Sequence, residues 1–231
     1  MIKDRKFALI FRAIAALFSL LGILATSGIF KGTFSFGAYL FYTTQSNILI
    51  CGLFVYFLVK TILDYRKNGR YGFSSYAPRL HMYFTVAIII TFLVFWTMLA
   101  PTLSFGSSYL LTFDNLSVHT ITPLLAVADY ILFTKSGHLK KRDIFICMII
   151  PVIYFIQATI LGFSGVEYYV LDEVTYYFPY FFIDYYNTGA LVAVYVVVIL
   201  AFFMLLAFGM YMLDRKWKKP ELMDKGIIDE N

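Results

Sequence analysis

Six stretches of the chain read as long apolar runs separated by shorter polar or aromatic segments: residues 7–30, 38–63, 80–100, 115–133, 143–163 and 187–213. A helix needs about 20 mainly apolar residues to cross the hydrocarbon core of a bilayer, and each run qualifies. The pattern predicts an all-α integral membrane protein, a bundle of six transmembrane helices. Residues 1–217 form a single domain in this reading, and residues 218–231 a polar, frayed tail. The first run follows MIKDRK but is too long for a signal-peptide core, and no small-residue cleavage site leads into a polar mature domain. It is expected to stay as a span.

Composition agrees. Of the 231 residues, 61% are hydrophobic and only 14% charged, against about 45–50% and about 25% in an ordinary soluble domain. A soluble fold of this kind would expose apolar patches that monomers rarely carry. That excludes a cytosolic enzyme and a nucleic-acid-binding module despite the net charge of +5. Cys51 and Cys147 lie inside apolar runs, where a thiol behaves as a small hydrophobe.

The basic residues orient the bundle. Those near the N-terminus (Lys3, Arg5, Lys6, Arg12), those around the second and fourth connections, and those after the last run share one side. Only Lys31 lies on the other. The positive-inside rule makes the shared side cytoplasmic, with both termini there and the protein multi-pass in the cell membrane. No internal repeat supports an inverted-repeat transporter. On the outer side, residues 167–187 hold seven tyrosines and three phenylalanines. Such rings gather where membrane meets water, so this segment is expected along the outer interface or dipping into the bundle mouth.

Polar side chains inside the runs bring in the chemistry, because intramembrane polar groups are costly and tend to face the interior. Counting at about 1.5 Å per residue puts Thr44 ~9 Å below the outer edge of the second run, His119 ~6 Å below that of the fourth, and Gln157 ~9 Å below that of the fifth. Three helices thus bring polar groups to one level. A threonine hydroxyl is a weak nucleophile until a base takes its proton, and neutral imidazole suits that role near pH 7. Asn47 shares the helix face of Thr44, and Asn115 that of His119. Either amide could orient the histidine or donate to an oxyanion. Ser46 and Gln157 complete the candidate cluster. The structural alternative is that the threonines bond back to their own helix and the histidine joins helices. His81 and His138 sit at the cytoplasmic ends, so no three-histidine zinc centre can form. Neither metal nor cofactor is expected.

Two further features are set aside. Gly162-Phe163-Ser164-Gly165 matches the GxSG string of rhomboid-type proteases, but no histidine follows His138; the stretch reads as a turn ending the fifth run. Asp129 lies ~21 Å deep, far from His119, and reads as a structural partner.

Tyr42-Thr43-Thr44-Gln45-Ser46-Asn47, His119-Thr120-Ile121-Thr122-Pro123 with Asp129 beyond, and Tyr177-Phe178-Pro179-Tyr180-Phe181-Phe182-Ile183-Asp184 resemble segments of the androgen-inducible six-span membrane proteins and their bacterial relatives. The resemblance covers roughly residues 7–215. Eukaryotic members hydrolyse fatty acid esters of hydroxy fatty acids with an intramembrane threonine and histidine, which the resemblance places at Thr44 and His119. The Gln45-Ser46 pair departs from the more apolar eukaryotic motif. The expectation is an intramembrane threonine esterase acting on long-chain lipid esters among the membrane lipids, with Thr43 the other candidate nucleophile. The alternative is a non-catalytic lipid-binding or transport protein using the same polar cluster. The chain carries no signal of oligomeric state.

Overall fold

The computed structural model describes residues 1–103, 108–171 and 173–223. It contains six helices long and apolar enough to cross a membrane: Arg5–Thr26, Tyr42–Asn68, Pro78–Thr102, Phe113–Phe133, Lys141–Phe163 and Leu191–Lys216, numbered one to six below. Each matches one apolar run, and the differences lie at the ends. Helix one stops at Thr26, because Gly28 takes a left-handed φ of 79°, open to glycine at no steric cost. Helix two starts at Tyr42, after a separate 3-10 turn over Phe36–Leu40. Helix six starts at Leu191 and continues to Met223, past the expected start of a frayed tail; residues 224–231 lie outside the described residues.

The connections gather at two ends. At one, Ile2 N donates to Leu132 O (2.8 Å), Arg5 Nη1 to Tyr71 O (2.6 Å), Arg79 Nε to His138 O (3.1 Å) and Leu139 N to Asp214 Oδ2 (3.1 Å). These bonds tie the N-terminus, the second and fourth connections and helix six into a basic end. The opposite end carries the aromatic segment. It forms a small hairpin, Tyr169–Leu171 paired with Val174–Tyr176, then turns inward so that Phe178, Phe182 and Ile183 are buried. The segment therefore dips into the bundle as well as bordering it.

Helix one packs on its neighbours through small residues. Ala8, Ala15, Ala16, Ser19 and Gly22 are buried on one face, and a Cβ at Gly22 would come within 2.8 Å of Ser117 Cβ in helix four. In lipid, helices have no hydrophobic drive to associate, and such close backbone approach supplies the packing contact instead. Arg12 lies on the same face. Sequence placed it with the cytoplasmic anchors; the structure buries it at 1% exposure, paired with Asp129. Ser164, at the end of helix five, donates to Ile160 O and is followed by Gly165 at φ 80°, which is the turn expected there.

Candidate functional site

Two helices leave the α-helical pattern at the same place. Helix three becomes a π-helix over Phe95–Leu99, and helix four over Ser117–Ile121. Each precedes a proline by two residues, Pro101 and Pro123. Proline has no N–H to give to the preceding turn, and widening that turn is one way for the helix to continue; such turns recur at functional sites. The two wide turns face each other. The rings of Phe95 and His119 stack at 3.8 Å with an interplanar angle of 19°, and Trp96 Nε1 donates to Thr120 Oγ1 at 3.1 Å.

His119 is 7% exposed and makes two hydrogen bonds. Nδ1 lies 3.2 Å from the Asn115 carbonyl oxygen. A carbonyl only accepts, so the proton sits on Nδ1 and Nε2 presents its lone pair. That lone pair faces the Thr43 hydroxyl, with Oγ1 and Nε2 3.2 Å apart. The result is a hydroxyl, an imidazole and an orienting carbonyl in line, the arrangement by which a base activates a nucleophile.

The hydroxyl in contact with His119 is therefore that of Thr43, not Thr44. Successive helical residues diverge by about 100°, and Thr44 is turned away: it is 1% exposed and its Oγ1 makes no hydrogen bond among the described residues. The depth count also shifts. Thr43 is the second residue of helix two, in its first turn, because the helix begins four residues after Ala38.

The other expected residues take different parts. Asn115 orients His119 through its backbone; its side chain donates to Leu110 O at 2.9 Å. Asn47 does not reach the imidazole. Its Nδ2 donates to Thr43 O (2.7 Å) and Val118 O (3.0 Å). In the five-residue pattern the backbone donor for Val118 O would be residue 123, which is proline, so Asn47 supplies what the chain lacks. Ser46 Oγ pairs with Thr91 Oγ1 at 2.7 Å, joining helices two and three. Gln157 Oε1 accepts from Gln45 Nε2 at 3.3 Å, beside the dyad rather than in it. Among the described residues no group of three His, Cys, Asp or Glu side chains could hold a metal ion. Lys31 is paired with Asp114 at 2.7 Å on the surface.

Next to the dyad lies a small, partly open cavity of about 80 Å³. Its walls come from helices three, five and six, the aromatic segment and Tyr42 of helix two, with Ile90, Val94, Leu99, Phe155, Val196 and Leu200 giving it an apolar surface. Thr43 and His119 are not among its lining residues. Phe95 and Tyr180 are, and both also touch the dyad: Phe95 stacks on His119, and Thr43 N lies 3.5 Å from Tyr180 Oη. The buried hydroxyl of Tyr154, on the same wall, makes no hydrogen bond among the described residues. Sequence reasoning named neither Phe95 nor Trp96, and placed Tyr180 only in the aromatic belt. The prolines two residues after each wide turn were the signal for the first pair. Compared with family models, curated proteins and solved structures, the chain matches none.

Proposed function

We propose that this chain is an intramembrane hydrolase of lipid esters, with both termini cytoplasmic, Thr43 as nucleophile and His119 as general base. The observation that carries the reading is the Thr43–His119 contact at 3.2 Å with the imidazole proton held by the Asn115 carbonyl. A threonine that bonds back to its own helix, as Thr61 does to Phe57 O, has its hydroxyl proton committed; Thr43 instead offers its hydroxyl to a base. The resemblance to the androgen-inducible family points to the same pair of residue types. The cavity alongside offers apolar contact to the part of an acyl chain next to the ester, and the basic end faces the cytoplasm by the positive-inside rule.

In this mechanism Thr43 Oγ1 adds to the ester carbonyl as its proton passes to His119 Nε2. The tetrahedral intermediate collapses, and the departing alkoxide takes that proton. A water molecule, deprotonated by His119, then attacks the acyl-threonine and releases the fatty acid, restoring the Thr43 hydroxyl.

The test is hydrolysis of p-nitrophenyl decanoate and of a fatty acid ester of a hydroxy fatty acid by the purified full chain in nanodiscs. Thr43→Ala and His119→Ala each abolish turnover, and the double variant is no worse than either, because nucleophile and base act as one device. Thr44→Ala stays active. If none of these changes alters turnover while lipid still binds the apolar cavity, the protein is a lipid-binding or transport protein.

A further inference from the structure

We propose that Tyr180 is a catalytic residue of this site, its hydroxyl donating to the oxyanion that forms on the substrate carbonyl when Thr43 attacks. The inference rests on the hydrolase reading and deepens it. Acyl transfer needs a donor aimed at the oxygen where negative charge develops, and the Thr43–His119–Asn115 line supplies none. Asn47, the donor expected from sequence, is spent on two backbone carbonyls, and Asn115 on Leu110 O.

Tyr180 stands where such a donor has to be. It lines the apolar cavity, and its oxygen lies 3.5 Å from the amide nitrogen of Thr43, the residue whose hydroxyl attacks. A carbonyl carbon within reach of Thr43 Oγ1 therefore brings its oxygen close to Tyr180. In the bond with Thr43 the phenol oxygen accepts, which leaves its own proton for donation. Burial holds the phenol above its ordinary value, so the proton is present throughout the neutral range. The ring is fixed on two sides, stacked on Phe182 at 5.1 Å and met edge-on by Phe41 at 5.9 Å; a pre-placed donor needs no reorganisation as charge appears. The start of helix two helps. Thr43 is its second residue, where backbone N–H groups have no intrahelical partner and the helix dipole is positive.

In the attack step the Thr43 oxygen–carbon bond forms, the carbonyl π electrons move onto oxygen, and Tyr180 O–H donates to that oxygen without transferring its proton. Collapse returns the electrons to the carbonyl and breaks the bond to the leaving alcohol, which takes the proton from His119.

The experiment measures kcat and KM of the full chain in nanodiscs on p-nitrophenyl decanoate for the wild type, Tyr180→Phe, Tyr154→Phe and Thr43→Ala. It also measures affinity for a long-chain trifluoromethyl ketone, which adds to the nucleophile as a tetrahedral alkoxide, and for the matching ether, which cannot. Loss of one oxyanion donor costs about 10²–10³-fold in kcat, so Tyr180→Phe lowers kcat by about that factor. KM and ether affinity stay near wild type, and ketone affinity falls in parallel with kcat. Fluorotyrosine at position 180, a stronger donor of nearly the same size, keeps kcat at or above the wild-type value and covers the case in which Tyr180→Phe misfolds. The inference is overturned if Tyr180→Phe keeps full kcat, if ether and ketone affinities fall together, if fluorotyrosine lowers kcat as phenylalanine does, or if the kcat loss follows Tyr154→Phe instead. Thr43→Ala separates the two readings: if it is inactive while Tyr180→Phe is fully active, only the role of Tyr180 fails. If wild type and Thr43→Ala are equally inert, the hydrolase reading fails and this one with it.

Discussion

Arg12 and Asp129, 117 positions apart in the chain, meet as a two-pronged ion pair inside the bundle: Nε to Oδ1 at 2.8 Å and Nη2 to Oδ2 at 3.1 Å. Arg12 Nη1 donates to Thr61 Oγ1 at 2.8 Å, and the guanidinium lies 4.9 Å from the Phe57 ring centre and 5.0 Å from that of Phe133. His81 Nε2 stands 3.6 Å from Oδ2 of the same carboxylate. One cluster therefore fastens helices one, two, three and four. Breaking such a pair from one side strands a buried charge, at a cost of about 3–5 kcal/mol, whereas replacing both partners with apolar residues of similar volume is often neutral.

Asp129→Leu and Arg12→Met should thus each lower the thermal midpoint of the purified protein sharply, and the double variant should recover most of the loss. Equal destabilisation in the double variant would show that the charges themselves, not their pairing, are needed.

The six spans were legible because each is an unbroken apolar run, and a bilayer leaves a run of that length few other structures. The site was legible as residue types and as a level, but not as contacts. Choosing between Thr43 and Thr44 required knowing where helix two begins, and the 3-10 turn over Phe36–Leu40 is itself apolar and reads as part of the run. The wide turn at Ser117–Ile121 also rotates His119 relative to a regular helix, which counting by 3.6 residues misses. Asn47 carries no mark in the sequence of its bond to Val118 O, since only the fold brings helix two against Pro123. Tyr180 is one of nineteen tyrosines, and nothing local separates it from the rest.

Thr44 provides a control for the nucleophile. Its buried hydroxyl has no partner among the described residues, and an unsatisfied buried polar group costs about 1–3 kcal/mol. Thr44→Val keeps the shape and removes that group. It should raise the thermal midpoint or leave it unchanged, with ester hydrolysis intact. A clear loss of stability would mean that the Thr44 hydroxyl has a bonding partner after all.

Gly162 tests how the aromatic segment is held. A Cβ at this position would overlap the Phe178 ring, which is 1% exposed and has no space to retreat. In an open helix Gly→Ala stabilises by about 1 kcal/mol, while overpacking a core costs about 1–3 kcal/mol. The close approach should prevail: Gly162→Ala lowers the thermal midpoint, and adding Phe178→Leu reverses the sign. Hydrogen exchange over residues 173–186 should quicken in the single variant, because Phe178 anchors that segment to helix five. A stabilised single variant would place the ring elsewhere.

Asn47 and Pro123 are predicted to be coupled through the carbonyl of Val118. Asn47 Nδ2 donates to that oxygen at 3.0 Å, in the place of the N–H that proline lacks. Asn47→Ala leaves the carbonyl buried and unpaired, which costs about 1–3 kcal/mol, and it also removes one donor from Thr43 O, which keeps that of Ser46 Oγ. Both losses loosen the segment that aims Thr43 at His119, so activity should fall along with stability. Restoring an N–H at position 123 with Pro123→Ala gives the helix its own donor. In the Asn47→Ala background Pro123→Ala should therefore recover part of the thermal midpoint, while in the wild-type background, where the carbonyl is already satisfied, it should yield little. The quantity to measure is the interaction energy of this double-mutant cycle, which contact through a shared group makes non-zero. Additive effects would mean that Asn47 stabilises the bundle through Thr43 alone, and that the wide turn owes nothing to it.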